Sequence, residues 1–259
     1  MSGELCPSPS FGNEGSGLKQ RIMGVEFDNV TLDEAIDRGC ALMESEGWHY
    51  VVTPNSEIVY ACREKPELQP VLNGASLVLP DGIGVVYASR ILKVPVKQKV
   101  AGIEFGSGML AKAAEKGWRI YLLGSKPGVA DEAAVKLAEK YPGLNVVGTA
   151  DGYFKEDGPV VEKIRAAQPD ILFVCLGAPK QEFWMAANGE ATGAKLLVGL
   201  GGSLDIYSGN SKRAPDIWVK LGLEWAYRLV KEPWRIGRQM NLPKFLFSAI
   251  GLRLRGRTE

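Results

Sequence analysis

The fold prediction starts from one stretch of the chain, Ile171-Leu-Phe-Val-Cys-Leu-Gly-Ala-Pro-Lys-Gln-Glu-Phe-Trp184. This stretch begins with an apolar run, residues 171–176, that suits a strand buried on both faces, and it continues into polar residues that begin a helical pattern. The same alternation of short apolar strand and helix recurs along most of the chain. It predicts a Rossmann-like α/β fold, in which helices cover both faces of a mostly parallel sheet.

The repeated unit predicts strands and helices between residues 31 and 200. The predicted strands are 48–53, 76–79, 119–123, 144–149, 171–176 and 195–200, and the predicted helices are 31–46, 57–65, 106–116, 129–141, 159–167 and 181–188. The first helix is expected to begin with a capping box, because Thr31 is followed three residues later by Glu34.

Three regions of the chain differ in composition. Residues 1–20, rich in Gly, Ser and Pro, are predicted to be a flexible leader, since they lack the basic start and apolar centre of a signal peptide. Residues 21–215 form the predicted α/β body. Residues 216–259 are predicted to be a basic helical appendage that associates with a membrane; they carry nine Lys or Arg against four Asp or Glu, although the net charge of the chain is only +1. A basic segment indicates an anionic partner: a membrane surface, a nucleic acid or a phosphorylated substrate.

Composition argues against several kinds of site. The chain is 46% apolar and 24% charged, as in an ordinary globular protein. No apolar run approaches the roughly 18–20 residues that span a bilayer. The four Cys are scattered without CxxC spacing, which argues against a zinc site and a disulfide framework. Because His49 is the single histidine, a Ser–His–Asp triad or a multi-His metal centre is nearly excluded, and acid–base chemistry is expected to rest on carboxylates.

Two loops at strand ends suit a catalytic site, because ligands of such folds bind at the carboxyl ends of the strands. In Leu79-Pro-Asp81-Gly82 an aspartate projects from a stiff loop. Asp81 is either a turn residue that satisfies the local backbone or a general base. In Thr53-Pro-Asn55 the small polar side chains either shape the turn and cap the next helix or bind a sugar hydroxyl.

Three further loops suit the parts of a nucleotide or another polar substrate. The glycines of Gly124-Ser-Lys-Pro-Gly128 let backbone N–H groups approach a phosphate, although the pattern has low specificity. Gln181 is predicted to hydrogen-bond a substrate, whereas the neighbouring Glu182 suits the positive end of a helix dipole. The pair Gly201-Gly202, followed by Asp205, suits the close approach of a base or a ribose.

The appendage carries Arg228, Arg235 and Arg238, whose spacings of seven and three are compatible with one helical face. Pro233 interrupts that pattern, so the face is expected to be split. The arginines are either a solvated basic face or, since three Trp accompany them, an interface with lipid or phosphates.

In order and spacing, these loops resemble the TagA/WecG/CpsF family of bacterial glycosyltransferases. The resemblance covers about residues 22–245. It rests on the motifs Thr53-Pro-Asn55, Leu79-Pro-Asp81-Gly82, Gly177-x-Pro179-x-Gln181-Glu182-x-Trp184, Gly201-Gly202-x-x-Asp205, Arg213-Ala-Pro215 and Gly222-Leu-Glu224-Trp225-x-x-Arg228.

The resemblance implies a role for each matching residue. Asp81 would be the catalytic base, with Thr53 and Asn55 lining the sugar site beside it. Gln181 and Asp205 would belong to the nucleotide-sugar pocket, together with the glycine loops. The arginines of the appendage would close over the site and engage phosphates.

The resemblance also implies the substrates and the place of action. The donor would be UDP-N-acetylmannosamine or a related UDP-N-acetylhexosamine, and the acceptor undecaprenyl-pyrophosphoryl GlcNAc, in the synthesis of teichoic acid linkage units or other surface polysaccharides. The protein would be cytoplasmic and peripheral on the inner face of the cell membrane, with no nucleic-acid partner and with homo-oligomerisation left open. No cofactor is expected, and no obligatory metal, because no clear Asp-x-Asp follows a strand.

One segment departs from the family pattern. Where Arg-x-x-Gly-x-Asp is expected, the chain reads Lys99-Val-Ala-Gly102-Ile-Glu104, which puts the identity of the donor in doubt. Two other functions are weighed against glycosyl transfer. An NAD-dependent nucleotide-sugar epimerase or dehydrogenase would need a GxGxxG fingerprint, and Leu204 occupies the place of its last glycine. A non-enzymatic membrane scaffold would leave Asp81 and Gln181 without a role.

Overall fold

The computed structural model describes residues 19–220, 222–231 and 241–256. Its strands are β1 (Gln20–Ile22), β2 (Val25–Phe27), β3 (His49–Val52), β4 (Leu77–Val78), β5 (Arg119–Gly124), β6 (Asn145–Ala150), β7 (Ile171–Cys175) and β8 (Leu196–Gly199). Strands β1 and β2 form an antiparallel pair, and the other six form a parallel sheet in the order β4-β3-β8-β7-β5-β6.

Helices separate most of the strands along the chain. They are α1 (Leu32–Glu44), α2 (Ser56–Ala61), α3 (Leu68–Asn73), α4 (Ile83–Ile91), α5 (Gly102–Lys116), α6 (Val129–Lys140), α7 (Asp157–Ala167), α8 (Lys180–Thr192), α9 (Ser203–Tyr207), α10 (Asp216–Lys220), α11 (Glu224–Lys231) and α12 (Asn241–Leu254).

Alternate residues of each strand pack into two hydrophobic clusters, one on each face of the sheet. In β3, Val51 belongs to one cluster and Val52 to the other, and both are fully buried. Helices α1, α5, α6 and α9 cover the Val51 face, whereas α2, α3, α4, α7, α8 and α12 cover the Val52 face. Because both faces are covered, the strands are continuously apolar, which is what made them recognisable in the sequence.

The predicted α/β class is confirmed. Each of the six predicted strands ends within one residue of an observed one, and each predicted helix overlaps an observed helix. The capping box is present as well: Thr31 Oγ1 accepts from the backbone N–H of Glu34 at 3.3 Å, and Glu34 Oε2 accepts from that of Thr31 at 2.9 Å. The β1–β2 pair and helices α3, α4 and α9 were not predicted.

The basic appendage is helical in the part that the structure describes. Helices α10 and α11 are separated by a turn at Gly222, whose φ of +70° favours glycine. Helix α12 packs against α4 and α2 and buries Phe245 and Ala249 in the hydrophobic cluster of the Val52 face. The domain boundary at residue 215 stays a prediction, and α12 shares a core with the body on the other side of it.

Two further predictions concern the leader at residues 1–20 and membrane-spanning segments. Of the proposed leader, residues 1–18 lie outside the described residues, and Gln20 already belongs to β1. Among the helices of the described residues, none is long and apolar enough to cross a membrane.

Candidate active site

Five neighbouring strands bring the predicted site residues to one edge of the sheet. The carboxyl ends of β4, β3, β8, β7 and β5 lie side by side there, because these strands are parallel and adjacent. The loops that follow them carry, in that order, Asp81, then Thr53 and Asn55, then Gly201, Gly202 and Asp205, then Gln181, and finally Gly124 at the end of β5 itself.

Asp81 lies between the end of β4 and the start of α4. The next residue, Gly82, has a φ of +84°, a conformation that favours glycine and lets the chain turn sharply into the helix. Oδ2 of Asp81 accepts a hydrogen bond of 3.3 Å from the backbone N–H of Gly102, the first residue of α5. A carboxylate at a helix N-terminus is favoured electrostatically. The side chain is half-buried, so it remains accessible to a substrate.

Thr53 and Asn55 lie beside the Asp81 loop. Oγ1 of Thr53 donates to the carbonyl of Gly199 at 3.1 Å. A Cβ placed on Gly102 would lie 2.9 Å from Thr53 Oγ1. Oδ1 of Asn55 accepts from the first N–H groups of α2, and Asn55 Cβ would lie 3.6 Å from a Cβ on Gly82. Both side chains therefore shape the loops. The Asn55 Nδ2 group makes no hydrogen bond within the described residues and keeps its donors for a ligand.

Gln181 is buried and joins two loops. Its Oε1 accepts from the backbone N–H of Gly201 at 2.9 Å, and its Nε2 donates to Glu182 Oε1 at 2.9 Å. These contacts fix the start of the Gly201–Gly202 loop. No described atom lies within 4 Å of a Cβ placed on either glycine, so the loop leaves open space for a ligand.

Glu182 is fully buried, and its Oε2 has no hydrogen-bond partner among the described residues. Burial raises the pKa of this carboxyl group, although the hydrogen bond from Gln181 opposes the shift. A raised pKa disfavours the charged form. Glu182 lies in the first turn of α8, as the dipole interpretation expects, but it is buried there.

Asp205, on α9, is held by Ser125 at the end of β5. Ser125 Oγ lies 3.1 Å from Oδ1 and 3.0 Å from Oδ2 of Asp205. Ser125 has a φ of +59° and follows Gly124, where a Cβ would lie 2.3 Å from the carbonyl oxygen of Cys175. Gly124 is therefore required by the close approach of β5 and β7. Ser125 was not singled out in the sequence, because nothing in one chain indicates that it meets a residue 80 positions away.

Lys99 and Glu104 contact charged residues near the appendage. Lys99 Nζ lies 2.6 Å from Oε2 of Glu224, the first residue of α11, and Glu104 Oε1 accepts from the Arg213 guanidinium. Burial lowers the pKa of Arg213, but Glu104, Glu224 and Asp81 outweigh it and raise the pKa overall. The departure from the family pattern thus lies at the contact between body and appendage, close to Asp81.

The predicted arginines of the appendage are only partly placed. Arg228 belongs to α11, but its side chain lies outside the described part of the structure, as do Arg235 and Arg238 entirely. The structure therefore shows where the helix bearing Arg228 begins, and the phosphate-binding role of all three stays a prediction.

A separate pocket of about 260 Å³ lies between α5, α6 and α9. It is lined by Ile103, Ser107, Lys136, Leu137, Lys140, Ile206, Tyr207 and Arg213. None of the predicted site residues lines it. Within the ranges that the structure describes, no group of three or more His, Cys, Asp or Glu could hold a metal ion.

Three residues outside the predicted site are buried in the fold: His49, Cys175 and Leu204. His49 is buried between Ser45 and Ser76, at 2.7 and 3.1 Å, and burial lowers the pKa of its ring. Burial raises the pKa of the Cys175 thiol to about 12, as for an unreactive core cysteine. Leu204 is fully buried, so the place of the third fingerprint glycine holds a core side chain.

Comparison with known proteins gives a consistent assignment. A family model described as the glycosyl transferase WecG/TagA/CpsF family matches residues 20–259. A protein of Bacillus spizizenii is 37% identical over 201 residues, which cover 78% of this chain and 78% of the relative. One of Staphylococcus aureus is 35% identical over 232 residues, covering 88% and 91%. Both relatives are named N-acetylglucosaminyldiphosphoundecaprenol N-acetyl-beta-D-mannosaminyltransferase.

Proposed function

Since the chain belongs to the WecG/TagA/CpsF family of glycosyl transferases, we propose that it transfers N-acetylmannosamine from a UDP-sugar to undecaprenyl-diphosphate GlcNAc. The acceptor and the transferred sugar are those in the names of its relatives. The observation that carries the proposal is the half-buried Asp81 at the sheet edge, with Thr53 and Asn55 beside it. UDP as the carrier is proposed from the family resemblance and from the open glycine loop near Asp205.

Asp81 acts as the general base in this proposal. Its carboxylate takes the proton from a hydroxyl of the acceptor GlcNAc while that oxygen forms a bond to the anomeric carbon of the donor. The bond between the anomeric carbon and the diphosphate oxygen breaks, and its electron pair leaves with UDP. A single displacement of this kind inverts the anomeric configuration. The N–H of Gly102 orients the carboxylate, and the charge of Arg213 lies close to it.

In this proposal the neighbouring loops contact different parts of the donor. Asn55, whose amide N–H groups make no hydrogen bond to the described residues, and Thr53, whose hydroxyl oxygen can still accept one, suit the hydroxyl and acetamido groups of the sugar. Asp205 suits N–H or hydroxyl donors of the nucleoside. Gln181 contributes by holding Gly201, as a positioning residue.

The leaving diphosphate needs positive charge around it. Arg228, Arg235 and Arg238 supply that charge in this proposal, since arginine matches phosphate geometry and no metal ligand cluster is required. The acceptor lipid stays in the bilayer, so the protein works as a peripheral protein on the cytoplasmic face of the membrane. Such a transfer would serve the synthesis of teichoic acid or another surface polysaccharide.

The proposal is tested with the purified full chain, a short-chain lipid-pyrophosphoryl GlcNAc and a panel of UDP-N-acetylhexosamines and their uronates. UDP release and the mass of the lipid product are measured together. UDP-N-acetylmannosamine should give UDP and a disaccharide lipid in equal amounts, and the other donors should react more slowly. Release of UDP from no donor in the panel would overturn the proposal.

A further inference from the structure

Four charged side chains that are distant in the sequence meet between the body and the appendage. Lys99 Nζ lies 2.6 Å from Glu224 Oε2, and Arg213 Nε lies 3.7 Å from Glu224 Oε1. Arg213 also donates to Glu104 Oε1. Lys99 and Glu104 flank the start of α5, whereas Glu224 begins α11. We call this set, Lys99, Glu104, Arg213 and Glu224, the charge bridge.

The charge bridge is shielded from water more than an ordinary surface ion pair. The side chains of Lys99 and Glu224 are only 16% and 22% exposed. Another pair, Lys97 and Glu34, has nearly the same separation of 2.7 Å, but both side chains are 46% exposed. Partial burial strengthens the attraction between opposite charges and makes a like-charge contact costly. The charge bridge should therefore contribute more to the stability of the folded protein than the Lys97–Glu34 pair does.

The bridge also lies next to the proposed base. Gly102, between Lys99 and Glu104 in the chain, donates its N–H to Asp81. The charge of Asp81 acts on Arg213. On the appendage side, a Cβ on Gly222 would lie 2.9 Å from Ile83, the first residue of the helix that follows Asp81 and Gly82. The same short segments therefore carry both the base and the contact with the appendage.

We infer that the charge bridge docks the start of α11 beside Asp81 and so sets the distance between the appendage and the reacting groups. The inference rests on the proposed function and adds positioning residues to it. Position 228 follows Glu224 by four residues, so the two positions lie on the same side of α11. Docking Glu224 therefore fixes the backbone position of residue 228. Lys99, Glu104 and Arg213 act on the reaction through the appendage.

The inference accounts for the departure from the family pattern. Lys99 and Glu104 keep the charges of the expected Arg and Asp, and their partners are Glu224 and Arg213 of this same chain. The two substitutions therefore alter an internal contact, and neither side chain needs to touch the donor. Exchanging them for the expected residues should change turnover without changing which UDP-sugar is preferred.

The test is a charge swap in the full chain, with two readouts. The variants are Lys99→Glu, Glu224→Lys and the double variant, with Lys97→Glu as the control of equal charge change. Hydrogen exchange of the 224–231 peptide, measured without substrate, reports docking. The kcat for transfer to a soluble acceptor analogue and the Kd for UDP report function. In Glu224→Lys the new charge would also face Arg213. A second double-mutant cycle therefore uses the uncharged replacements Lys99→Gln and Glu224→Gln, singly and together.

Each single reversal should speed exchange of α11 by about 10-fold and lower kcat by about 10-fold. The Kd for UDP should rise, because α11 carries Arg228. The swap should recover part of the losses in exchange and kcat, and Lys97→Glu should change neither. In the cycle of uncharged replacements the two losses should be less than additive. Unchanged exchange in Lys99→Glu, or faster exchange with normal kcat, would overturn the inference. The exchange readout stays decisive even if the wild type fails to use UDP-sugars, so failure of the proposed function is recognised separately.

Discussion

Glu182 is a carboxylic acid that the fold removes from water next to the candidate active site. Its side chain is fully buried, and it accepts a hydrogen bond from Gln181, which in turn holds the N–H of Gly201. A buried carboxylate without a cation is unfavourable, which is why burial raises the pKa of Glu182. Folding therefore favours the protonated form, in which the group is a neutral hydrogen-bonding partner.

Glu182→Gln should stabilise the protein at neutral pH and change its stability little near pH 4.5. A carboxyl group whose pKa is raised on folding binds its proton more tightly in the native state, so the free energy of unfolding falls as pH rises above the unfolded pKa. Gln carries no proton to lose and can still accept from Gln181. Urea unfolding at several pH values measures the difference, with the exposed Glu64→Gln as control. A difference between Glu182→Gln and wild type that does not depend on pH would contradict this assignment.

At the residue scale, the sequence predicted positions better than contacts. Asp81, Thr53 and Asn55 could be placed at strand ends, because a strand followed by polar residues is a local pattern. The contact of Asp205 with Ser125 and the burial of Glu182 depend on pairings across the sheet. One sequence contains no sign of them, and the helix position of Glu182 indicated a dipole contact but not its burial.

At the element scale, α12 combines a buried side with an exposed apolar side. Phe245 is fully buried against the body, whereas Phe247, two residues on, is 73% exposed. Ile250 and Leu254 are exposed as well, and they follow Phe247 at spacings of three and seven residues, which places them near one helical face. With Arg253 and Arg255 beside them, this face suits the headgroup region of a membrane.

The two phenylalanines should therefore respond differently to truncation. Phe245→Ala should lower the free energy of unfolding by about 3–5 kcal/mol, since it leaves a cavity in a packed core. In a chain of this length that loss corresponds to a fall in Tm on the order of 10 °C. Phe247→Ala should change Tm little and weaken sedimentation with anionic vesicles. Equal losses of Tm in the two variants would contradict the orientation of α12.

The unpredicted elements are those whose local signals are short. Strands β1 and β2 have three residues each, and their alternation is too brief to separate from a turn. Helix α4 follows Gly82 and has no side-chain cap, so its start carries no capping signal. The break between α10 and α11 has a local signal, Gly222. The packing of Phe245 into the body has none, because it is a tertiary contact.

At the scale of the whole molecule, the order β4-β3-β8-β7-β5-β6 brings the loops of β4 and β7 to the same edge, although about 100 residues separate them in the chain. The alternation of strands and helices predicted a parallel sheet but no strand order, because pairing is decided by packing. The order explains why motifs scattered from residue 53 to residue 205 can serve one site.

Membrane attachment should depend on the charge of the C-terminal end. Each basic residue near an anionic surface contributes on the order of 1 kcal/mol, so reversing Arg253, Arg255 and Arg257 should weaken vesicle binding on the order of 100-fold or more. Activity on a soluble acceptor analogue should be spared. The control reverses the exposed Lys116, Lys140 and Lys155 of the body, which changes the net charge equally. Equal loss of vesicle binding in both triple variants would show that net charge alone matters.

The transfer should proceed in the presence of EDTA. Arginine side chains can neutralise the leaving diphosphate, and no Asp-x-Asp follows a strand in the sequence. The rate of UDP release is measured with EDTA and then with added magnesium or manganese. Activity that is abolished by EDTA and restored by either ion would show that a metal takes part.

The whole arrangement centres on Asp81, so its replacement in the full chain is the most direct test. Asp81→Asn keeps the shape of the side chain and can still accept from Gly102, but it cannot take a proton. The measurement is kcat for conversion of lipid-pyrophosphoryl GlcNAc with UDP-N-acetylmannosamine, alongside Tm and the Kd for UDP, with the exposed Asp33→Asn as control. The account predicts a kcat lower by roughly 100-fold or more for Asp81→Asn alone, with Tm and Kd unchanged. A kcat within a few-fold of wild type would remove Asp81 from the chemistry and contradict the account.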